Sequence, residues 1–377
     1  MTKLFPILIF SLIMAFLSEK NSLKKKDDLG GSYYTKKDWL FYLIMAAAMA
    51  VFVGLRTSGN DTLAYRIMYE MLPTGWDSLS TVDWTSLAGA PGHQSVNIIM
   101  KTLGFTTQDY LMVYSLFTVS VYLWFLRKYT NNVPFSVFLF FTMGVYTFTM
   151  AAIKQTAAVA FLLIATDKAI RKKYFGFALF AAIAMLFHPY SFIYLIIPFL
   201  DFAPWTKKTF FFLAGTVFVS IAFNFLLEPL LDITGALGAG YTAEELTGEG
   251  VNVFRVLVVW VPVLLSFLVR PHFYQKNDRV ANIVINASMI NAMIMFVGLF
   301  GTANYFARMA NYFLIFQAIA LPLLLDAFDP SNRKLLSVGA VAGYSGYFYY
   351  GTVLANGVFD NLYRFLTFSE YFEQLFG

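Results

Sequence analysis

Between Arg56 and Glu70 the chain reads RTSGNDTLAYRIMYE, a stretch whose residue types can do chemistry. Arg56, Asp61, Tyr65, Arg66 and Glu70 lie just beyond an uncharged apolar run, Trp39 to Leu55, around a Gly59-Asn60 turn signal. A guanidinium and a carboxylate at the mouth of a hydrophobic segment can bind an anion and accept a proton. The turn would fold the Asp61 carboxylate back toward Arg56. The plainer reading is a charged loop that stops a membrane helix. Which of the two holds depends on the elements that carry the other polar residues.

Those elements are apolar. Of 377 residues, 59% are hydrophobic and only 13% charged, where a soluble globular chain carries ~25% charged residues. The apolar residues come in long unbroken runs and not in the alternation of a membrane β-barrel. Helices are then the way to satisfy the backbone in a bilayer, and each crossing takes ~20 residues. The expected fold class is all-α: one polytopic integral membrane domain over residues 1–377, with about twelve transmembrane helices. No large soluble domain remains. The net charge of +5 lies mostly in short loops, so it speaks for topology and against nucleic-acid binding. With no cysteine, disulfides, thiolate metal sites and a thiol nucleophile are excluded.

The order of the spans follows from the basic loops. Leu4 to Leu17 is a short first span without a clear cleavage site after it. Lys20, Lys24, Lys25, Lys26, Lys36 and Lys37 follow, and the positive-inside rule assigns that loop to the cytoplasm. Trp39–Leu55 then runs outward. An outer loop, 56–109, leads to Tyr110–Leu126, followed by Val133–Thr149, a span starting near Lys154, Tyr174–Phe187 and a short one from Ser191. Thr209–Leu227 leads to an acidic outer loop, 231–252, with Asp232, Glu244, Glu245 and Glu249. Val253–Val269, Val280–Phe300, a span after Arg308 and Leu335–Leu354 complete the set, with both termini outside.

This orientation brings Arg56, Asp61, Lys154, His188, Arg255 and Arg308 to the outer ends of different helices. A charge at mid-bilayer costs at least ~2.5–3.5 kcal/mol, so such groups collect where water reaches. Snorkelling accounts for any one of them. It accounts less well for Arg56, Lys154 and Arg308, cations on the side that positive-inside disfavours. Outer cations need an anionic partner, either acidic loop residues or a ligand phosphate.

The pattern Arg56-x2-Gly59-x-Asp61-x3-Tyr65 after a span resembles the signature of the EpsG-like branch of the Wzy-type polysaccharide polymerases. Lys154-Gln155 before Ala157 and Ala158, His188 at a span end, and Arg308 in NYFARMANYF follow in that family's order, so the resemblance runs from Trp39 to Pro322. It implies a GT-C-like polymerase architecture and the joining of lipid-linked sugar repeats for exopolysaccharide, capsule or O-antigen. The implied site is at the outer face of the bacterial cytoplasmic membrane. Two positions depart from the pattern. Lysine stands at 154 where the family often has arginine, and Ala90 precedes Pro91-Gly92 where members tend to carry an acid. The second departure shifts weight onto Asp61.

The chemistry agrees with the resemblance. No glycine-rich phosphate loop faces inward, so an outer-face transferase needs a donor already activated, such as an oligosaccharide on a polyprenyl diphosphate. Arg56, Lys154 and Arg308 would stabilise the departing diphosphate, with Tyr65 and Gln155 as further substrate-binding residues. Asp61 or His188 would take the proton of the incoming hydroxyl. No cofactor or metal is called for. The implied partners are the lipid bilayer, the lipid-linked oligosaccharide, and a chain-length regulator and flippase of the same pathway. The rival readings are a transporter or flippase of lipid-linked oligosaccharides and a polytopic acyltransferase. Asn282, Asn286 and Asn291 could line a transport path, or be packing glue between helices.

Overall fold

The apolar runs fold as helices in the computed structural model, which describes residues 3–28, 31–236, 249–355 and 359–376. Tyr174–Phe187 is a helix over the residues expected, and Leu40–Gly54, Thr107–Tyr129, Ile153–Ile170, Val253–Leu268 and Arg279–Val297 match their expected spans closely. The loops gather at two ends. One end carries a β-hairpin, Leu23–Lys26 paired antiparallel with Ser32–Lys36, so the basic loop after the first helix adds strands to a helical fold. The other end carries the Arg56 motif.

Two expected spans are broken. Val133–Thr142 and Val145–Ala151 meet at 48°, because Gly144 takes a left-handed conformation (φ 81°) that ends the first helix. Tyr305–Asn311 and Leu314–Asp326 meet at 54°. Here the backbone is re-satisfied by side chains: Gln155 Nε2 donates to the Arg308 carbonyl and Asn291 Nδ2 to that of Ala310, both at 2.6 Å. The short span after His188 is a 3-10 helix, Pro189–Leu200. Only Thr107–Tyr129 and Arg279–Val297 are singly long and apolar enough to cross a membrane among the described residues, and the bent pairs raise this to five. The other apolar helices are shorter than the ~20 residues of a straight crossing.

Close packing of small residues aligns the motif end. Ala157, Ala158, Ala165 and Ala169, all fully buried, lie along Ile153–Ile170, which packs on Tyr174–Phe187, where Ala181 and Ala184 are buried too. A Cβ at Gly54 would come within 2.8 Å of Ser115 Oγ, so Leu40–Gly54 can approach Thr107–Tyr129 only with glycine there. The asparagines of Arg279–Val297 are buried and bonded to backbone or to loop side chains, Asn286 to the carbonyls of Leu200 (2.9 Å) and Phe202 (2.8 Å). They act as packing glue. Glu244 and Glu245 of the expected acidic loop lie outside the described residues.

Candidate functional site

Arg56 lies one residue beyond the Leu40–Gly54 helix, after its C-cap Leu55, and has 1% of its surface exposed. Its Nη1 donates to the Val53 carbonyl (2.7 Å) and its Nε to Thr62 Oγ1 (3.3 Å). No carboxylate meets it among the described residues. Burial drives the Arg56 guanidinium down to about 10, opposed by the phenols of Tyr363, Tyr110, Tyr65 and Tyr146. Gly59 (φ 114°) and Asn60 (φ 42°) form the expected left-handed turn. That turn does not fold Asp61 back, however. Asp61 precedes the helix Thr62–Met71, is exposed, and makes no ion pair with Arg56, because Thr62 occupies the guanidinium's Nε instead.

The other nominated residues come together around this loop. Tyr65, on the first turns of Thr62–Met71, is half-buried. Burial raises its phenol, and the Lys154 backbone N–H acts the opposite way; the Asp61 carboxylate raises it, while Arg308 and Arg56 lower it. Lys154 stands in the first turn of Ile153–Ile170, and Gln155 beside it holds the Arg308 carbonyl. Gln155 thereby has a positioning role, since its buried amide is spent on the helix break. Arg308 itself is exposed.

His188 ends the Tyr174–Phe187 helix in an extended conformation that the following proline favours. Its Nδ1 lies 2.5 Å from the Tyr312 hydroxyl, at the break in the helix that carries Arg308. Burial pushes the imidazole down to about 4, and the Arg308 and Lys154 charges push the same way. At neutral pH His188 is therefore uncharged.

Two residues were not singled out from the sequence. His93, two residues into the helix Pro91–Thr102, is 3% exposed and held by Asn97 Nδ2 (3.2 Å to Nδ1) and the Tyr110 hydroxyl (3.3 Å to Nε2). Burial pushes it down to about 3, with Lys154 adding to the effect. Gly92 admits it, since a Cβ there would lie 2.8 Å from Leu186 Cβ. The proline-glycine start of this helix was the available signal. Tyr363 comes from the far end of the chain to lie over the motif turn, with Asn60 Nδ2 donating to its hydroxyl at 2.7 Å. No local signal announces it.

The site thus joins cations from three separate elements with two uncharged histidines and several phenols. Against the known families, residues 39–367 match the EpsG family model. The chain belongs to the EpsG family. This is a family of Wzy-like polymerases, and its matched region takes in every nominated residue from Arg56 to Arg308. No curated protein and no solved structure matches the chain. Membership and the apolar helices make this EpsG-family chain a membrane protein of polysaccharide synthesis, of glycosyltransferase type.

Proposed function

We propose that this chain is a repeat-unit polymerase that joins polyprenyl-diphosphate-linked oligosaccharides at the outer face of the bacterial cytoplasmic membrane. In this reading the chain crosses about twelve times in a GT-C-like arrangement. The motif end faces outward and the basic hairpin end inward. The observation that supports it is the Arg56 guanidinium, buried without a carboxylate among the described residues, while Arg56 and Arg308 both act on the Tyr65 phenol, which also meets the Lys154 backbone. A buried charge is costly unless it is paired, and a substrate diphosphate is the partner of matching charge.

The reaction follows from that assignment. A hydroxyl of the acceptor sugar attacks the anomeric carbon of the donor sugar. The bond from that carbon to the diphosphate oxygen breaks, and its electron pair leaves on the diphosphate. Arg56, Lys154 and Arg308 stabilise the charge that develops there. The hydroxyl proton passes to Asp61. His188 is the weaker candidate, because burial and two neighbouring cations remove the advantage in basicity that an ordinary imidazole has over a carboxylate. It orients the acceptor together with Tyr312. Tyr65 bridges the two sides, feeling both Asp61 and the cations.

Two experiments test this. Purified protein given a synthetic polyprenyl-diphosphate repeat should yield a ladder of lengthening glycans with release of polyprenyl diphosphate. Deleting the gene should leave single lipid-linked repeats in the outer leaflet, whereas repeats confined to the inner leaflet would mark a flippase. Orientation is read separately. The chain has no cysteine, so Asp61→Cys should react with an impermeant maleimide on intact cells and Lys172→Cys should not.

A further inference from the structure

The Arg56 loop is laced to a segment some three hundred residues later. Thr57 N–H donates to the Arg364 carbonyl (2.7 Å), Leu366 N–H donates to the Leu55 carbonyl (2.8 Å), and Arg56 pairs with Phe365 in an antiparallel bridge. Phe365 packs against Phe52 with ring centres 4.5 Å apart and the rings tilted by 30°. The segment is anchored beyond the loop as well. The Tyr371 hydroxyl donates to Asp109 Oδ1 (2.9 Å), and Lys3 Nζ to the Tyr363 carbonyl (2.7 Å).

This lacing carries one side chain into the site. Tyr363 is 2% exposed, stacked on Phe359 at 4.2 Å and pressed onto the motif turn, where a Cβ at Gly59 would collide with its ring. Packing accounts for the ring. It does not account for the hydroxyl, which a phenylalanine would lack. That oxygen accepts from Asn60 Nδ2, so a lone pair is occupied and the O–H remains to donate. Among the described residues it meets no acceptor. Burial holds the phenol up at about 12; Arg56 pulls it down, Asp61 pushes it up, and the Asn60 hydrogen bond lowers it. The group is therefore a protonated donor within electrostatic reach of both the guanidinium and the carboxylate.

We propose that Tyr363 is a further donor-binding residue, whose O–H hydrogen-bonds an oxygen of the leaving diphosphate beside Arg56. The carboxy-terminal segment is thus part of the site and not a cover over it. This rests on the polymerase reading above.

The test uses purified full-length protein, the synthetic lipid-linked repeat, and inorganic pyrophosphate as a competing probe. Tyr363→Phe keeps the ring over Gly59 and removes the donor. Its KM for the repeat and the inhibition constant of pyrophosphate should both rise about tenfold, the scale of one hydrogen bond to a charged group. A purely structural role would lower turnover through fewer active molecules and leave both constants unchanged, which would overturn the proposal. Should Tyr363→Phe not accumulate in the membrane, Asn60→Ala decides. It frees the orienting hydrogen bond, so both constants should rise severalfold, and wild-type values would overturn the proposal equally. Wild-type protein that makes no polymer would instead sink the polymerase reading itself.

Discussion

The two ends of the molecule treat positive charge in opposite ways. At the hairpin end, cations are matched to acids: Lys128 and Arg171 to Asp167, Lys276 to Asp27 (2.7 Å), Arg279 to Asp201 (2.6 Å), Arg333 to Asp326, and Lys24 to Glu19. At the motif end, Arg56, Lys154 and Arg308 form no ion pair among the described residues. Charge alone does not distinguish the ends; satisfaction does. Where cations have their acids, as at Asp167, Asp27 and Asp201, the charges hold loops together. Arg56, buried without an acid among the described residues, is the cation that the proposed diphosphate would satisfy.

One residue at the hairpin end sharpens this. Arg127 is fully buried and has no carboxylate either. Its guanidinium nevertheless lies over the ring of Tyr34 (4.6 Å), with Tyr42 and Trp39 at 5.7 and 5.8 Å, and donates to Ser22 Oγ (2.7 Å). Arg56 has no such aromatic face among the described residues. The two buried arginines should therefore fail differently, and this is the largest expected effect. Arg56→Ala should cut polymer formation a hundredfold or more, the scale of losing one donor to a developing anion. It should shift stability by no more than about 1 kcal/mol, because removing an unpaired buried charge offsets the lost hydrogen bonds. Arg127→Ala should cost on the order of 3 kcal/mol and deplete the protein from the membrane, with normal activity per molecule that remains. Thermal unfolding in detergent and polymer length on gels separate the two. Equal loss of stability in both would dissolve the distinction between the ends.

Much of the helical fold was legible because long apolar runs report helices directly. The Tyr174–Phe187 helix was readable to the residue. The break at Gly144 was not, since one glycine in an apolar run is compatible with a straight helix. The segment from Ser191 looked too short, yet a 3-10 helix of 12 residues rises ~2.0 Å per residue and so covers more depth than an α-helix of that length. The hairpin hid inside a lysine-rich loop whose strands are mostly exposed. In the site, residues adjoining spans were nominated, because a charge beside an apolar run is conspicuous. Tyr363 was not, because its relation to Arg56 exists only after folding brings distant segments together. Gln155 was nominated for substrate, and its Nε2 holds the Arg308 carbonyl, a contact that no sequence pattern states.

A second pair of predictions asks which group at the motif end handles the proton. Asp61→Asn keeps shape but removes the charge, and should lower turnover a hundredfold or more. His188→Gln should weaken it only severalfold. Near-normal activity in Asp61→Asn with none in His188→Gln would reverse the roles. The pH dependence checks the same point. His188 has its folded value at about 4, below an ordinary value of 6.5. Between those limits the unfolded chain takes up a proton that the folded chain refuses. Stability is thus fully present above about pH 6.5 and falls as pH drops toward 4, by on the order of 3 kcal/mol. His188→Gln should flatten that fall in detergent-solubilised protein. Activity should show no inflection near pH 6.5 from this residue.

The smallest effect belongs to Lys154, and it probes whether the open end is shaped for phosphate or only positive. A lysine ammonium is a point charge, whereas a guanidinium presents a fork that matches two phosphate oxygens at once. Lys154 lies at the start of its helix, half-buried, and its charge is felt by both His93 and His188. In the proposed reading, an anion held by Arg56 and Arg308 would meet it as a third cation. Lys154→Arg should then equal the wild type or exceed it by about twofold to threefold, the worth of one improved contact. Lys154→Ala should lose roughly tenfold and shorten the polymer. The matched control is Lys128, whose ammonium is committed to Asp167 at the other end. Lys128→Ala should lower membrane abundance and leave polymer length alone. Full-length polymer from Lys154→Ala would make this lysine an interfacial anchor, and would leave the negative ligand to two arginines.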